Sequence, residues 1–399
     1  TLADIGTLST ACLNTHKYLN LRPGDIVMLN DPYSGGSVLT SITLISPFHP
    51  GENSQSEMIL GLRIWFRHHL VLAKIIDDEG VRIPPTPIVS SGIVNNDILN
   101  AIAAHPLAPE DFKARIQNTI SEMQGMIESL KVLSKRQPSF FAKQNLKDYF
   151  GHCYESVKKL LLDFPSTENK FEMHSDSGET LAMRIELSED KVNIDFRGSS
   201  PSKMLALTDS ATFGACFGGV SAFLNQPIPV NSGSFSVLQV SSPVGCFLNA
   251  RFPSPTFLGM THGTSWVAST VLWGLGQMSK GKEVGMSCLS SIMVQLEFSG
   301  GNRFFDFVPG GVGGSWVGPG ESGLPLWHKH RLQPSIELIE QKFPMLIHRV
   351  ATCRSHTGKS KHLGGSGLTK EYEIQSHAKL TWFMDQTRVR PAGALHGNL

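Results

Sequence analysis

The run Gly310-Gly311-Val312-Gly313-Gly314 offers consecutive backbone N–H groups that no large side chain screens. Such a run can cradle a phosphate or a carboxylate. It is not a nucleotide P-loop, because no Lys-Ser/Thr follows in register. A tight loop that simply demands glycine is the plainer alternative. His328 and His330 stand two apart in Leu326-Trp-His-Lys-His-Arg331. On a strand both face one side, a spacing that suits metal ligation, but the only nearby carboxylate is Glu321. Thr261-His262-Gly263-Thr264-Ser265 opens an apolar stretch. Thr264 or Ser265 reads as a helix cap, or the helix N-terminus faces an anionic group. No Gly-x-Ser-x-Gly elbow supports a serine nucleophile. Cys246 and Cys288 have no local histidine, so cysteine catalysis is not argued.

The elements that must position these residues follow from periodicity. Residues 22–48 read as strand, glycine-rich turn, strand, broken at Asn30-Asp31-Pro32 and Ser34-Gly35-Gly36. Residues 57–76 alternate through Met58, Leu60, Leu62, Ile64 and Phe66, as a half-buried strand does. Pro84, Pro85 and Pro87 are expected to forbid regular structure just after it. Phe112, Ile116, Ile120, Met123, Ile127 and Leu130 form one helical stripe, which Pro138 ends. A second amphipathic helix runs from Leu146 to Leu161, so the two make a helical hairpin packed on each other or a neighbour. Beyond residue 165 the period changes. Leu181 to Leu187 and Val192 to Phe196 alternate around a polar turn, as a β-hairpin does. Residues 204–224 and 260–278 read as buried helices, 291–308 as a second hairpin, and the tail as two final strands. A soft boundary near 165 separates an N-terminal part, 1–165, from a mixed part, 166–399. Irregular order without βαβ repetition favours an α+β, multi-lobed fold.

Composition narrows the class. Of 399 residues, 40% are hydrophobic and 17% charged, a globular balance. The net charge of +1 gives no electrostatic argument for nucleic acid or an anionic membrane as the main partner. No stretch approaches the ~20 apolar residues that a membrane helix needs. Cys12, Cys153, Cys216, Cys246, Cys288 and Cys353 are scattered without a Cys-x-x-Cys pair. Free thiols in a reducing cytoplasm are therefore the expectation.

Six segments, in order, resemble the hydantoinase B / 5-oxoprolinase family, which includes the large subunits of acetone-type carboxylases. They are Arg22-Pro-Gly-Asp-Ile-Val-Met-Leu-Asn-Asp-Pro-Tyr-Ser-Gly-Gly36; Glu79-Gly-Val-Arg-Ile-Pro-Pro85; Asp195-Phe-Arg-Gly-Ser-Ser-Pro201; Leu248-Asn-Ala-Arg-Phe-Pro253; the glycine run 310–314 with Gly320-Glu-Ser322; and Gly364-Gly-Ser-Gly-Leu-Thr-Lys-Glu-Tyr372 with Arg388-Val-Arg-Pro391. Each alone is weak; together they span nearly the whole chain. Only 21 residues precede Arg22, where the family carries several tens, so part of its N-terminal lobe is expected to be missing.

The resemblance implies ATP-assisted opening of a cyclic amide, such as a hydantoin, 5-oxoproline or another lactam. A hydantoinase A-like partner would bind ATP and Mg and activate the substrate, and the B-like chain would complete hydrolysis with a divalent metal, zinc or manganese. The family's turn after Asn-Asp-Pro-Tyr reads roughly Gly-Gly-Thr-His-Leu-Pro-Asp, with His and Asp as ligands. Here Val38 stands at the His position and Ser41 at the Asp position. A valine has no lone pair to give, and a serine hydroxyl is a poor ligand at neutral pH. The next family element, roughly Arg-Ala-His-His-x-Asp, retains His68 and His69 but ends in Val71. The expected catalytic and metal-binding set is thus the incomplete trio Asp31, His68 and His69. Gly35, Gly36, Gly310, Gly311, Gly313 and Gly314 are the expected substrate-positioning glycines. Each ligand has a plainer reading: Asp31 before Pro32 suits an Asx turn, and adjacent strand histidines point to opposite faces. The alternative function is a catalytically degenerate member that keeps the fold as a scaffold.

Overall fold

The structure is a computed structural model that describes residues 1–51, 58–66, 72–287, 291–327, 334–353 and 362–394. The chain opens with helix α1 (Leu2–Tyr18). The first sheet has the order β3-β2-β1-β4-β5. Its strands are β1 (Ile26–Leu29), β2 (Ser41–Phe48), β3 (Met58–Trp65), β4 (Thr86–Ser90) and β5 (Ile93–Val94), all antiparallel. Strand periodicity divides its apolar residues between two cores. Met28, Ile42 and Leu44 meet Phe112, Ile116, Ile120 and Met123 of a later helix, while Leu29 and Ile45 meet Ala11 of α1. Pro87 lies inside β4, contrary to expectation. A register shift at Ile26/Val27 accompanies it; such irregularities are where a sheet tolerates a residue without an N–H.

Helix α2 spans Asn96–Ala103, α3 spans Phe112–Arg136 and α4 spans Lys143–Leu161. The tight turn Pro138–Phe141 joins the last two. The helices of this hairpin serve different cores: α3 covers the first sheet, while Val157 and Leu161 of α4 enter the largest cluster.

That cluster is built on a second sheet, β6 (Thr167–His174), β7 (Thr180–Leu187), β8 (Val192–Asp195) and β9 (Leu238–Ser241), in that order. β8 and β9 are parallel, so the chain must cross over between them, and it does so through helix α5 (Asp209–Leu224) and the short α6 (Ser232–Phe235). Helix α7 (Thr264–Met278) packs on α5. α1 approaches α5 so closely that a Cβ on Gly6 would lie 1.9 Å from the Ser210 carbonyl oxygen. Strands β10 (Ile292–Phe298) and β11 (Arg303–Val308) form the expected hairpin. Helix α8 (Ile336–Lys342) precedes β12 (Met345–Thr352). The two final strands, β13 (Leu368–Ile374) and β14 (Ala378–Phe383), pair with β12 and β10 respectively. Among the described residues no helix is long and apolar enough to cross a membrane.

Candidate functional site

The turn after β1 is fixed by its own side chains. Buried Asn30 donates from Nδ2 to the carbonyls of Leu39 (2.7 Å) and Val81 (2.8 Å), and its Oδ1 accepts the Ile83 N–H at 2.6 Å. The backbone N–H groups of Asn30 and Asp31 both donate to the Ile83 carbonyl, at 3.0 and 3.2 Å. These bonds strap residues 81–83 to the turn. Asp31 is 5% exposed. Its Oδ1 accepts the Tyr33 N–H at 3.1 Å, and its Oδ2 accepts Ser34 Oγ at 3.1 Å and Arg82 Nη1 at 3.4 Å. This is an Asx turn with both oxygens engaged. Gly35 follows at φ +107°, where a side chain would be strained. Its carbonyl accepts Arg63 Nη2 at 3.0 Å, and that buried guanidinium is held by Asp4, Thr7 and Thr43.

A third segment closes on the same place. The Tyr33 hydroxyl donates to the Ser254 carbonyl at 2.7 Å, and its ring meets Phe252 edge-on at 5.8 Å. Arg82 lies 4.8 Å over the Phe252 ring, within cation–π range, and its Nε donates to Asp77 at 3.0 Å. The Ile76 N–H donates to the Pro253 carbonyl at 2.9 Å. Glu79 Oε1 accepts the Phe257 N–H at 2.8 Å. Its Oε2 is buried, and the Thr256 backbone N–H and hydroxyl lie on the same carboxylate. Burial pushes the Glu79 carboxyl up to about 7, against the opposing pull of the Phe257 and Thr256 N–H groups and the Thr256 hydroxyl. Burial likewise pushes the Tyr33 phenol up to about 12. A carboxyl that titrates near neutrality can give or take a proton at working pH. A cavity of about 390 Å³ borders the turn, lined by Tyr33, Gly35, Ser9, Asp209, Ser210 and Asn249 among others.

Three of the six family-like segments therefore meet: the turn around Asp31, residues 79–85, and residues 248–253. Tyr33, Glu79 and Arg82 stood inside these segments without being singled out from sequence. Each stands among other polar residues, Glu79 directly after Asp77 and Asp78 and Tyr33 within Asn30-Asp31-Pro32-Tyr33-Ser34, so charge and polarity did not single them out.

The expected metal ligands fare differently. Val38 is 1% exposed and belongs to the largest apolar cluster. Ser41 is fully buried at the start of β2, with its Oγ unpartnered. His68, His69, His328 and His330 lie outside the described residues. Among the described residues no group of three or more His, Cys, Asp or Glu side chains could hold a metal ion. Both Asp31 oxygens are engaged within the turn, and the two histidines expected beside it lie outside the described residues.

The glycine run packs against the last family-like segment. A Cβ on Gly311 would lie 1.8 Å from the Gly365 carbonyl oxygen, and the Gly365 N–H donates to the Val312 carbonyl at 2.8 Å. A Cβ on Gly313 would lie 2.0 Å from the Gly285 carbonyl oxygen. The backbone approach there needs glycine whatever else the run does. Thr264 and Ser265 are not caps. A π-helical turn, Gly259–Gly263, leads directly into α7, and their hydroxyls donate back to Met260 (2.9 Å) and Thr261 (3.4 Å). His262, in that turn, is 2% exposed, and its Nε2 lies 3.2 Å from Asp385 Oδ2.

With this geometry in view, the chain is placed by comparison with known proteins. It belongs to the hydantoinase B/oxoprolinase family, whose profile matches residues 2–398. It is 23% identical to an uncharacterised protein of Methanocaldococcus jannaschii over 98% of this chain and 72% of that one. It is 22% identical to 5-oxoprolinase 1 of Arabidopsis thaliana over 95% of this chain, which amounts to 32% of the plant protein. The chain thus spans about a third of that enzyme's length. The crystal structure of the ATP-dependent caprolactamase from Pseudomonas jessenii superposes with a TM-score of 0.80 at 20% identity, covering 94% of this chain and 69% of that one. At that identity the likeness shows the fold.

Proposed function

We propose that this chain is the B-type subunit of an ATP-dependent system that opens a small cyclic amide, working with a hydantoinase A-like partner that binds ATP and Mg. One observation carries this reading: Asp31, Tyr33, Glu79, Arg82 and Phe252 come from three family-like segments and share one site. The names of the relatives, a 5-oxoprolinase and a caprolactamase, support a lactam or related ring as substrate. In this reading Tyr33 and Gly35 border the cavity that takes the substrate, and Arg82, Phe252 and Glu79 hold the Tyr33 turn in place behind it. A divalent metal would be held by Asp31 with His68 or His69, and no step is routed through it.

A second reading, a degenerate member that keeps fold and interface as a scaffold, is favoured by Val38 sealed in the core at the expected His position. The two readings separate in a reconstituted assay. The chain, a hydantoinase A-like protein and ATP-Mg are incubated with 5-oxoproline, hydantoin or caprolactam, and ring-opened product is followed. ATP-dependent product from any of the three supports the subunit reading. A stable complex without product supports the scaffold.

A further inference from the structure

The cavity beside the Tyr33 turn has a wall of one electrical character. It lies between α1, which contributes Ser9 and Thr10, the turn itself, the start of α5 with Asp209 and Ser210, and Asn249. Its volume of about 390 Å³ suits a small ring. Among the described residues no Lys, Arg or His lines it, and its one charged side chain is Asp209. The guanidiniums of the surrounding segments are engaged or turned elsewhere. Arg63 is tied to Asp4 at 2.7 Å and Arg82 to Asp77 at 3.0 Å, while Arg251 lies beside Gly245 and lines a separate depression. Hydrogen-bonding capacity points the same way. The Ser9 and Thr10 hydroxyls donate to the Gly6 carbonyl at 2.9 and 3.0 Å, the Tyr33 hydroxyl donates to the Ser254 carbonyl, and Asn249 Nδ2 donates to the Ser242 carbonyl at 3.0 Å. What these oxygens keep for a ligand is lone pairs. Asp209 Oδ1 accepts Ser242 Oγ at 2.6 Å, which fixes its exposed carboxylate on the cavity wall. The start of α5 carries partial positive charge, and Asp209, in its first turn, sets a negative charge against it.

We propose that this cavity takes a neutral cyclic amide, one that donates hydrogen bonds from its ring N–H, and excludes a ring bearing a carboxylate, with Asp209 as the residue that sets the exclusion. This preference rests on the subunit reading above, which leaves 5-oxoproline, hydantoin and caprolactam open. Hydantoin and caprolactam are uncharged and present N–H to a wall of acceptors. 5-Oxoproline carries a carboxylate at neutral pH. Its charge would meet the like charge of Asp209 and find no counter-ion on the wall. An unpaired charge of this kind is how a site discriminates against a ligand that otherwise fits.

The test is calorimetric binding of hydantoin, caprolactam and 5-oxoproline to the full chain, beside their turnover in the ATP-dependent assay with the partner. The wild type is expected to bind the two neutral rings roughly tenfold or more tighter than 5-oxoproline. Asp209→Asn keeps an acceptor for Ser242 and removes the charge, and should narrow that ratio about threefold or more. Ser9→Arg supplies a cation from α1 and should bring 5-oxoproline level with the neutral rings or ahead of them. Both positions are exposed, so melting temperatures stay near the wild-type value. Equal or tighter binding of 5-oxoproline by the wild type overturns the exclusion, and so does a ratio unchanged in both variants. Turnover of all three rings with equal kcat/KM also overturns it and keeps the subunit reading. Selective binding of the neutral rings without turnover of any sinks the subunit reading and leaves the preference standing. Neither binding nor turnover of any ring sinks both.

Discussion

Glu79 takes the backbone N–H of Phe257 on one carboxylate oxygen at 2.8 Å and buries the other beside Thr256. The bond joins residues 79–85 to the entry of the π-helical turn before α7. It sits beside the bond from Ile76 to Pro253 and the stacking of Arg82 on Phe252, so the first sheet's loop and the segment leading to α7 are fastened at three points. A charged carboxylate is poorly solvated there, and the neutral acid is the form the site favours.

That preference makes stability depend on pH. The folded value, about 7, lies above the ordinary 4.5. The folded state therefore binds the proton more tightly than the unfolded chain. The stabilisation is fully present below pH 4.5 and is lost as pH rises through about 7. At about 1.4 kcal/mol per pKa unit the loss is on the order of 3 kcal/mol. Glu79→Gln mimics the neutral acid. In urea unfolding, its stability relative to wild type should rise between pH 5 and pH 8. A constant difference across that range would show that Glu79 is ionised in the fold.

Asp31 separates turn from ligand. As an Asx-turn residue, Asp31→Ala should cost about 1–2 kcal/mol, the worth of a cap and its hydrogen bonds. Asp31→Asn keeps an acceptor for the Tyr33 N–H and should cost less. In the subunit reading zinc or manganese raises the wild-type melting temperature and leaves that of Asp31→Ala unmoved. Losses that do not change on adding zinc, manganese or a chelator would leave Asp31 to the turn alone, where both oxygens already have partners.

What the sequence shows of this molecule follows packing chemistry. The stripe from Phe112 to Met123 and the alternation from Leu181 to Leu187 are legible because one face of each is buried against a broad apolar partner. α1 has no such stripe. It approaches α5 through Gly6 and the first sheet through Thr7 and Ala11, small residues on two sides of one helix, and hydrophobic patterning is blind to that. β6 is mostly exposed, so its polar residues conceal a strand. The site shows the same division. The motifs were legible, but that Glu79, Arg82 and Tyr33 converge depends on contacts more than 150 residues apart in sequence, such as Glu79 with Phe257, at a separation of 178. No local pattern encodes that pairing.

Two glycines should respond oppositely to alanine. A Cβ on Gly36 would fall 2.0 Å from the Asn30 carbonyl oxygen, inside a turn held by three Asn30 side-chain bonds. The backbone must shift, and a loss of about 4 kcal/mol or more is expected. Gly125, within α3, meets nothing within 4 Å. Gly125→Ala should stabilise by up to about 1 kcal/mol through helix propensity. Urea midpoints of the two variants test both signs. A near-wild-type midpoint for Gly36→Ala would mean the turn is far softer than its bonding implies.

The hairpin β10–β11 joins β13 through a buried acid. Asp306 Oδ2 accepts Lys370 Nζ and the Tyr372 hydroxyl, each at 2.6 Å, and the Asp306 and Lys370 side chains are 7% and 6% exposed. Burial, and then the Asp306 charge, push the Tyr372 phenol well above its ordinary range. Removing only the acid leaves the buried ammonium without its counter-ion, with the Phe307 carbonyl at 3.4 Å, so Asp306→Ala should cost roughly 3 kcal/mol. Adding Lys370→Met removes that buried charge and should recover part of the loss, because the two changes act on one interaction. Urea unfolding of the wild type, both single variants and the double variant completes the cycle. Simple additivity would show that Lys370 is stabilised by something other than Asp306, and that the strand contact there is set by packing of Phe304 against Tyr372, whose rings lie 6.1 Å apart.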